Sequence, residues 1–132
     1  MRRSRDFGLG KVLIPTGFKI QANPDTDREP DVAFISRQRL PSSAAGARGF
    51  VQSAPDLAVE VISPTDRPGP LRAKIAQYLE SGVRMVWVVD PKHETVTVHQ
   101  PGQEPLTLRE GGVLDGGNVV PGFTCDIRGI FY

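Results

Sequence analysis

The sequence has almost no cysteine and no long hydrophobic run, and each absence excludes a class of protein. Cys125 is the single cysteine among 132 residues, which excludes a disulfide framework and a zinc site built from cysteines. No apolar run approaches the roughly 20 residues that a membrane-spanning helix needs. We therefore expect a protein with no membrane partner, located in the reducing cytoplasm.

The sequence also has no excess of one charge. Its 16 Lys+Arg and 15 Asp+Glu residues leave a formal net charge of +1. A protein that binds polyanions through overall charge has a strongly basic balance or long basic runs. If nucleic acid is the partner, the positive potential must therefore be confined to one part of the surface.

Short apolar runs separated by turn-forming residues predict a sheet within a single domain at residues 11–132, behind a flexible basic arm at residues 1–10. The run at 83–89 is nearly all apolar, which is typical of a central strand covered on both faces. Residues 95–99 alternate between polar and apolar side chains, which predicts an antiparallel strand with one wet face. Further strands are predicted at 11–15, 17–21, 32–36, 57–63 and 106–108, with a last strand or tail at 125–131 after a glycine-rich turn at 111–117.

One helix is predicted at about 70–82, packed on one face of a central mixed sheet. Its apolar side chains recur at helical spacing, from Leu71 through Ile75 to Tyr78 and Leu79, and so form one stripe. A proline at the start and a glycine at the end suit the two ends of a helix. This combination of strands and one packed helix predicts the α+β fold class.

Glu60 differs most from its surroundings, because it stands between Val59 and Val61 in a strand that otherwise looks interior. A buried, ionised carboxylate without a partner costs several kcal/mol, so a cation, an ion pair or hydrogen bonds should accompany it. The period of two in a strand places Asp56 and Glu60 on the same face. Asp31 opens the earlier apolar strand, and it converges on Glu60 if the two strands are neighbours.

Paired acids on neighbouring strands suit a hard cation such as Mg²⁺, which takes one or two carboxylates and keeps several waters. Such a metal activates water and stabilises charge on a phosphoryl group. Lys74 flanks the apolar stripe of the helix, so its ammonium can reach these acids. There it can orient the attacking water or stabilise the transition state.

Each of these residues also has a structural interpretation. Glu60 can form an ion pair with Arg84 or with Lys74. Asp31 and Asp56 each follow a proline, and a Pro-Asp pair before a strand is often a turn device. A single lysine on a helix is most often a solvated surface residue.

Four stretches of the sequence, taken in order, resemble the Uma2 family of restriction-endonuclease-like proteins in the PD-(D/E)xK nuclease superfamily. They are PDVAFIS at 30–36, PDLAVEVISPTDR at 55–67, KIAQY at 74–78 and GVRMVWVVDP at 82–91. The resemblance covers the chain from about residue 12 to its end. It implies a restriction-endonuclease-like core, with a mixed sheet flanked by helices and a site that hydrolyses phosphodiesters with Mg²⁺ or Mn²⁺.

The resemblance also assigns roles to individual residues. Asp31 matches the acid of the first superfamily motif, and Glu60 matches the acid of the second. Ile62 stands where the simplest form of the second motif has lysine, and Lys74 resembles the lysine that this family carries on the following helix. Asp56 is either an accessory acid, and then a third metal ligand, or a turn residue.

Members of the family usually carry a longer N-terminal region, in which the glutamate of a Tyr-Glu-Leu-Ile-Asp-Gly-like segment joins the site. That segment is missing from this sequence. We therefore expect one of two functions. The first is a metal-dependent endonuclease acting on nucleic acid, DNA rather than RNA, as a homodimer, with Asp31 and Glu60 holding Mg²⁺ and Lys74 assisting. The second is a non-catalytic relative that acts as a dimerising or partner-binding module.

Overall fold

The computed structural model describes residues 4–6, 9–13, 30–40 and 54–132 of the chain. Within these ranges the backbone forms nine strands and two helices. Four strands, the first helix, five strands and a short second helix follow one another, and runs of strands around one helix are what the sequence pattern predicts for an α+β protein. The elements are β1 (Ser4–Asp6), β2 (Gly10–Leu13), β3 (Val32–Ser36), β4 (Leu57–Val61), α1 (Pro68–Glu80), β5 (Met85–Asp90), β6 (Thr95–His99), β7 (Leu106–Leu108), β8 (Val113–Asp115), β9 (Thr124–Asp126) and α2 (Ile127–Phe131).

Seven of the described strands form one mixed sheet in the order β1-β2-β3-β4-β5-β6-β7. The pair β4 and β5 is parallel, and α1 lies on the connection between them. The other neighbouring pairs of this sheet are antiparallel. The short connections from β5 to β6 and from β6 to β7 allow only an antiparallel arrangement. β8 and β9 form a separate two-stranded sheet.

The helix α1 covers one face of the sheet at the parallel pair. Ala58 on β4 and Val86 and Val88 on β5 point to this face, where they pack with Ile75 and Tyr78 of α1. The alternation of side chains along a strand puts Asp56 and Glu60 on the same face as Ala58. Burial of an aliphatic or aromatic side chain contributes roughly 1.5–3 kcal/mol, so this packing fixes α1 above β4.

The opposite face of the sheet carries the larger hydrophobic core. Leu57, Met85 and Trp87 lie there, and the segment from β8 to α2 covers them, with Leu114 and Ile127 buried. Trp87 also contacts the ring of Phe123, with 5.5 Å between the ring centroids. The sheet is thus covered on both faces around β5, as its apolar sequence predicts.

The mixed sheet with a helix on one face confirms the predicted fold class. Strands were predicted at the positions of β3, β6 and β7, and all three are present with the predicted bounds. The helix begins at Pro68 rather than near residue 70 and ends at Glu80. Both Pro68 and Pro70 fit in the first turn, where a proline loses no hydrogen bond. Gly82 has φ +105° just after the helix, which suits the stop predicted from glycine.

The C-terminal prediction is wrong in two details. The segment 111–117, predicted as a turn, contains β8, and the predicted last strand or tail contains β9 followed by the short helix α2. Ile127 is buried, and Ile130 and Phe131 are half-buried. Ile130 and Phe131 follow Ile127 by three and four positions, which is the spacing of one face of a helix rather than of a strand.

Part of the segment predicted as a flexible arm is a strand. Ser4–Asp6 form β1, which pairs with β2 at the edge of the sheet. Backbone pairing of this kind does not depend on the basic side chains from which the arm was predicted. The predicted strand at 17–21 lies outside the described residues. Within the described residues, no helix is long and apolar enough to cross a membrane.

Candidate active site

Glu60 lies on β4, beneath α1, and is only 5% exposed. Its side chain faces the helix because Ala58, two residues earlier on the same face, packs there. Burial of a carboxylate at this depth requires partners for its oxygens. The helix provides them.

Two side chains of α1 hold the two oxygens of the Glu60 carboxylate. The Lys74 Nζ lies 3.1 Å from Oε1, and the Tyr78 hydroxyl donates a hydrogen bond of 2.6 Å to Oε2. Lys74 and Tyr78 are four residues apart and therefore lie on one face of the helix, a turn apart. The sequence hypothesis that brought Lys74 to Glu60 thus matches the geometry, and of the two ion-pair partners considered for Glu60, Lys74 is the one in contact.

Asp31 lies immediately before β3, next to the end of β4. Its Oδ2 accepts a hydrogen bond of 2.7 Å from the backbone N–H of Val61, and its own N–H donates to the carbonyl of Val59 at 3.0 Å. The Asp31 carboxylate therefore lies at the peptide bond that follows Glu60. The side chain is exposed, so it can accept a further ligand from solvent.

Asp56 lies at the other end of β4, and its carboxylate has a different set of partners. It is 1% exposed, and its Oδ1 lies 3.3 Å from Nε of Arg39 and 3.2 Å from Nη1 of Arg84. Its Oδ2 accepts a hydrogen bond from the backbone N–H of Ser36. Four residues of strand separate Asp56 from Glu60, roughly 13 Å at the usual rise. Asp56 thus connects β3, β4 and β5 and does not converge with Asp31 and Glu60.

Two residues of these clusters were assigned no polar role in the sequence analysis. Tyr78 was interpreted as core because it belongs to the apolar stripe of α1, and it is indeed fully buried. Its position four residues after Lys74 is the signal that could have predicted a second donor to Glu60. Arg39 had no such signal, because its partner Asp56 is 17 positions away across a segment without regular pattern.

A cavity of about 590 Å³ opens at the same end of the sheet as Glu60, beyond the carboxyl ends of β4 and β5. Ser63 and Asp66 line it from the loop after β4, Asp90 from the last position of β5, and His93 from the turn after β5. Ligands of open sheets commonly bind outside the carboxyl ends of parallel strands. Burial acts to raise the pKa of the Asp90 carboxyl, but hydrogen bonds to His93 and the charge of that ring outweigh it and lower this pKa below its ordinary value.

The donor set for a metal ion consists of two carboxylates. Within the described residues, no three His, Cys, Asp or Glu side chains come together as possible metal ligands. Asp31 and Glu60 at the end of β4 remain. Mg²⁺ sites in proteins often use one or two carboxylates and complete the coordination sphere with water, so the two acids fit Mg²⁺.

Comparison with known proteins places the chain in a family. A model of the Uma2 family, described as "Putative restriction endonuclease", matches residues 2–128, nearly the whole chain. The chain belongs to the Uma2 family. The comparison with curated proteins finds no match.

A solved structure is similar to this Uma2 protein. It is a crystal structure from Anabaena variabilis, described as a putative nuclease belonging to DUF820, with a TM-score of 0.70 and 24% sequence identity. The matched region covers 79% of this chain and 59% of that chain. At this identity the similarity shows a shared fold, and it confirms the expected nuclease-like core. The present chain thus spans about three fifths of the length of that protein.

Proposed function

We propose that this Uma2 protein is a divalent-metal-dependent endonuclease that hydrolyses phosphodiester bonds of nucleic acid, DNA rather than RNA. The observation that carries the proposal is the buried Glu60 held by Lys74 at 3.1 Å, with the Asp31 carboxylate on the adjoining peptide N–H. By the resemblance, Asp31 and Glu60 match the two acids of the PD-(D/E)xK pattern. Ile62 stands at the lysine position of that pattern, and Lys74 on the following helix would take the place of the lysine. The description of the family and the nuclease-like fold support the same conclusion.

Each residue would contribute a distinct part of the reaction. A bound Mg²⁺ or Mn²⁺ would supply water activation and charge neutralisation at the phosphoryl group. Asp31 and Glu60 would hold that ion, Asp31 from the exposed side of the site and Glu60 from beneath α1. Lys74 Nζ would orient the attacking water or stabilise charge that develops on the phosphate. Tyr78 would keep the Glu60 carboxylate in one orientation through its bond to Oε2.

We propose no metal-ligand role for Asp56. Both of its oxygens are engaged by Arg39, Arg84 and the backbone of Ser36. A carboxylate that gave up these partners for a metal ion would leave two guanidinium groups without their anion. Asp56 is better explained as the anion that holds three strands together, the structural alternative considered for it.

One observation favours the second function, a non-catalytic dimerising or partner-binding module. Both oxygens of Glu60 already have protein partners, and the described residues offer no third acid beside Asp31 and Glu60. The arrangement could thus be a closed structural network. Metal-dependent cleavage separates the two functions, because it is expected under the first alone. Sedimentation velocity that shows only monomer, together with such cleavage, counts against the second function.

Metal binding tests the proposal most directly. Mg²⁺ or Mn²⁺ well above its dissociation constant is expected to raise the melting temperature of the wild type, because a ligand that binds the native state alone stabilises it by about 2.7 kcal/mol at a hundredfold excess over Kd. The Glu60→Ala variant is expected to show no such rise. Differential scanning fluorimetry with and without EDTA measures it.

Glu80→Ala is the matched control, because Glu80 is an exposed glutamate at the end of α1, the helix that covers Glu60. This variant should retain the full metal-dependent rise. A rise of equal size in Glu60→Ala, or none in the wild type, contradicts the proposal. Cleavage of plasmid, duplex, single-stranded DNA and RNA by the wild type in Mg²⁺, compared with EDTA, then identifies the substrate.

A further inference from the structure

A second polar cavity, of about 550 Å³, opens at the end of the sheet opposite to Glu60, where β3 ends and β4 and β5 begin. Three of its lining residues are arginines, Arg37, Arg39 and Arg84, and one is an acid, Asp56. The amides of Gln38 and Asn118 also line it. We name it the arginine cavity.

The charge of the arginine cavity is positive. Three arginines against one aspartate leave a formal charge of +2 on the lining residues. The aspartate is 1% exposed and has its two oxygens in contact with protein donors. The negative charge is therefore buried below the surface, while the guanidinium groups lie above it.

The arginines of the cavity differ in how they are used. The Arg39 Nη1 donates to the carbonyls of Ala54, Pro55 and Gly82, so this side chain closes loops of the fold. The Arg84 side chain is 42% exposed and contacts Asp56 through Nη1 alone among the described residues. Its other donors have no hydrogen-bond partner among the described residues, and a planar guanidinium offers such donors in the geometry that matches phosphate oxygens.

We infer that the arginine cavity binds a backbone phosphate of the nucleic acid, away from the bond that is cut. The inference rests on the proposed function for its substrate and extends it with a second contact. A chain of net charge +1 cannot hold nucleic acid through its overall field, so a local positive site is required. The roughly 13 Å along β4 between Asp56 and Glu60 corresponds to about four base-pair steps of duplex, at 3.4 Å each.

The test measures binding rather than cleavage. The Kd of a fluorescent 20-base-pair DNA duplex is measured by anisotropy in EDTA, between about 50 and 200 mM NaCl. Arg84→Gln and Arg37→Gln are each expected to raise the Kd about threefold to tenfold and to reduce the slope of log K against log salt by about 1, because each removes one phosphate contact.

The controls separate charge at this cavity from charge in general. Arg109→Gln removes the same charge at an exposed position outside the arginine cavity and should leave the slope unchanged. Arg84→Lys keeps the positive charge and should keep most of the slope of the wild type. It therefore separates loss of charge from loss of fold in Arg84→Gln. Equal slopes for wild type, Arg84→Gln and Arg37→Gln overturn the inference. The inference is also overturned if inorganic phosphate binds at the cavity in a stability assay while the two substitutions leave the duplex slope unaffected, because the cavity then binds a small anion instead of nucleic acid.

The outcome is independent of the metal site. A wild type that cleaves DNA with metal but shows no arginine-dependent slope refutes this inference and leaves the proposed function standing. A wild type that never cleaves, yet shows the arginine-dependent slope, refutes the proposed function and leaves the cavity as a phosphate-backbone site.

Discussion

Replacing Asp56 with alanine is expected to lower the free energy of unfolding by about 3–5 kcal/mol, because one partner of a buried ionic cluster is then removed. Arg39 and Arg84 would lose their shared anion. The backbone N–H of Ser36, whose residue is buried, would lose its acceptor, and an unsatisfied buried donor adds about 1–3 kcal/mol. The cluster joins three neighbouring strands, so its loss weakens the centre of the sheet.

Urea denaturation followed by circular dichroism measures this change. The matched control is Asp66→Ala, because Asp66 is exposed and accepts a hydrogen bond from the backbone N–H of Ser63. Loss of one exposed hydrogen bond costs about 1 kcal/mol. If Asp56→Ala and Asp66→Ala lose equal stability, the ionic cluster around Asp56 does not hold the three strands together. Asp56→Asn, which keeps the shape without the charge, should lie between Asp56→Ala and the wild type.

The sheet around Glu60 could be predicted because local patterns determine it. The apolar run of β5, the alternation in β6 and the helical stripe of α1 each depend on residues close in sequence. Glu60 could be singled out as well, since a lone acid in an apolar strand conflicts with the cost of burying charge. Lys74 followed because it lies on the same helix at a position flanking the stripe.

The partners of Asp56 could not be predicted, because they depend on contacts between distant segments. Arg84 was considered as a partner of Glu60, yet it lies immediately before β5, beside the beginning of β4, and so meets Asp56. The parallel register decides this, and register is not visible in one sequence. Arg39 donates hydrogen bonds to the carbonyls of Pro55, before β4, and Gly82, after α1. These groups are near Arg39 only in the folded chain, so the sequence does not reveal the contacts.

The contact between Lys74 and Glu60 predicts that substitutions of these two residues have different effects on metal binding. The Lys74 Nζ donates a hydrogen bond to Oε1 of Glu60, one of the oxygens that a metal ion would use. In the proposed function the lysine would therefore compete with the metal ion for the carboxylate and would also support the reaction at the phosphate. A lysine in an ordinary structural ion pair would compete with the metal ion in the same way but would not support the reaction.

Lys74→Met is expected to reduce metal-dependent cleavage by roughly 10²–10³, the usual loss when one preorganised charge at the reacting group is removed. Its metal-dependent rise in melting temperature should be at least as large as that of the wild type, because Oε1 is freed. Glu60→Ala should reduce cleavage by roughly 10²–10⁴, several kcal/mol of transition-state stabilisation, and should lose the metal-dependent rise as well. Single-turnover cleavage in Mg²⁺ measures both losses.

Tyr78→Phe tests whether Lys74 acts on the reaction itself or only through the orientation of the Glu60 carboxylate. It removes the hydrogen bond to Oε2 of Glu60 and leaves Lys74 and the ring in place, so a smaller loss of cleavage, of about tenfold, is expected. If Lys74→Met loses no more activity than Tyr78→Phe, the lysine acts through the orientation of Glu60. If Lys74→Met also abolishes the metal-dependent rise, Lys74 supports the metal site itself, and the separation of roles is wrong.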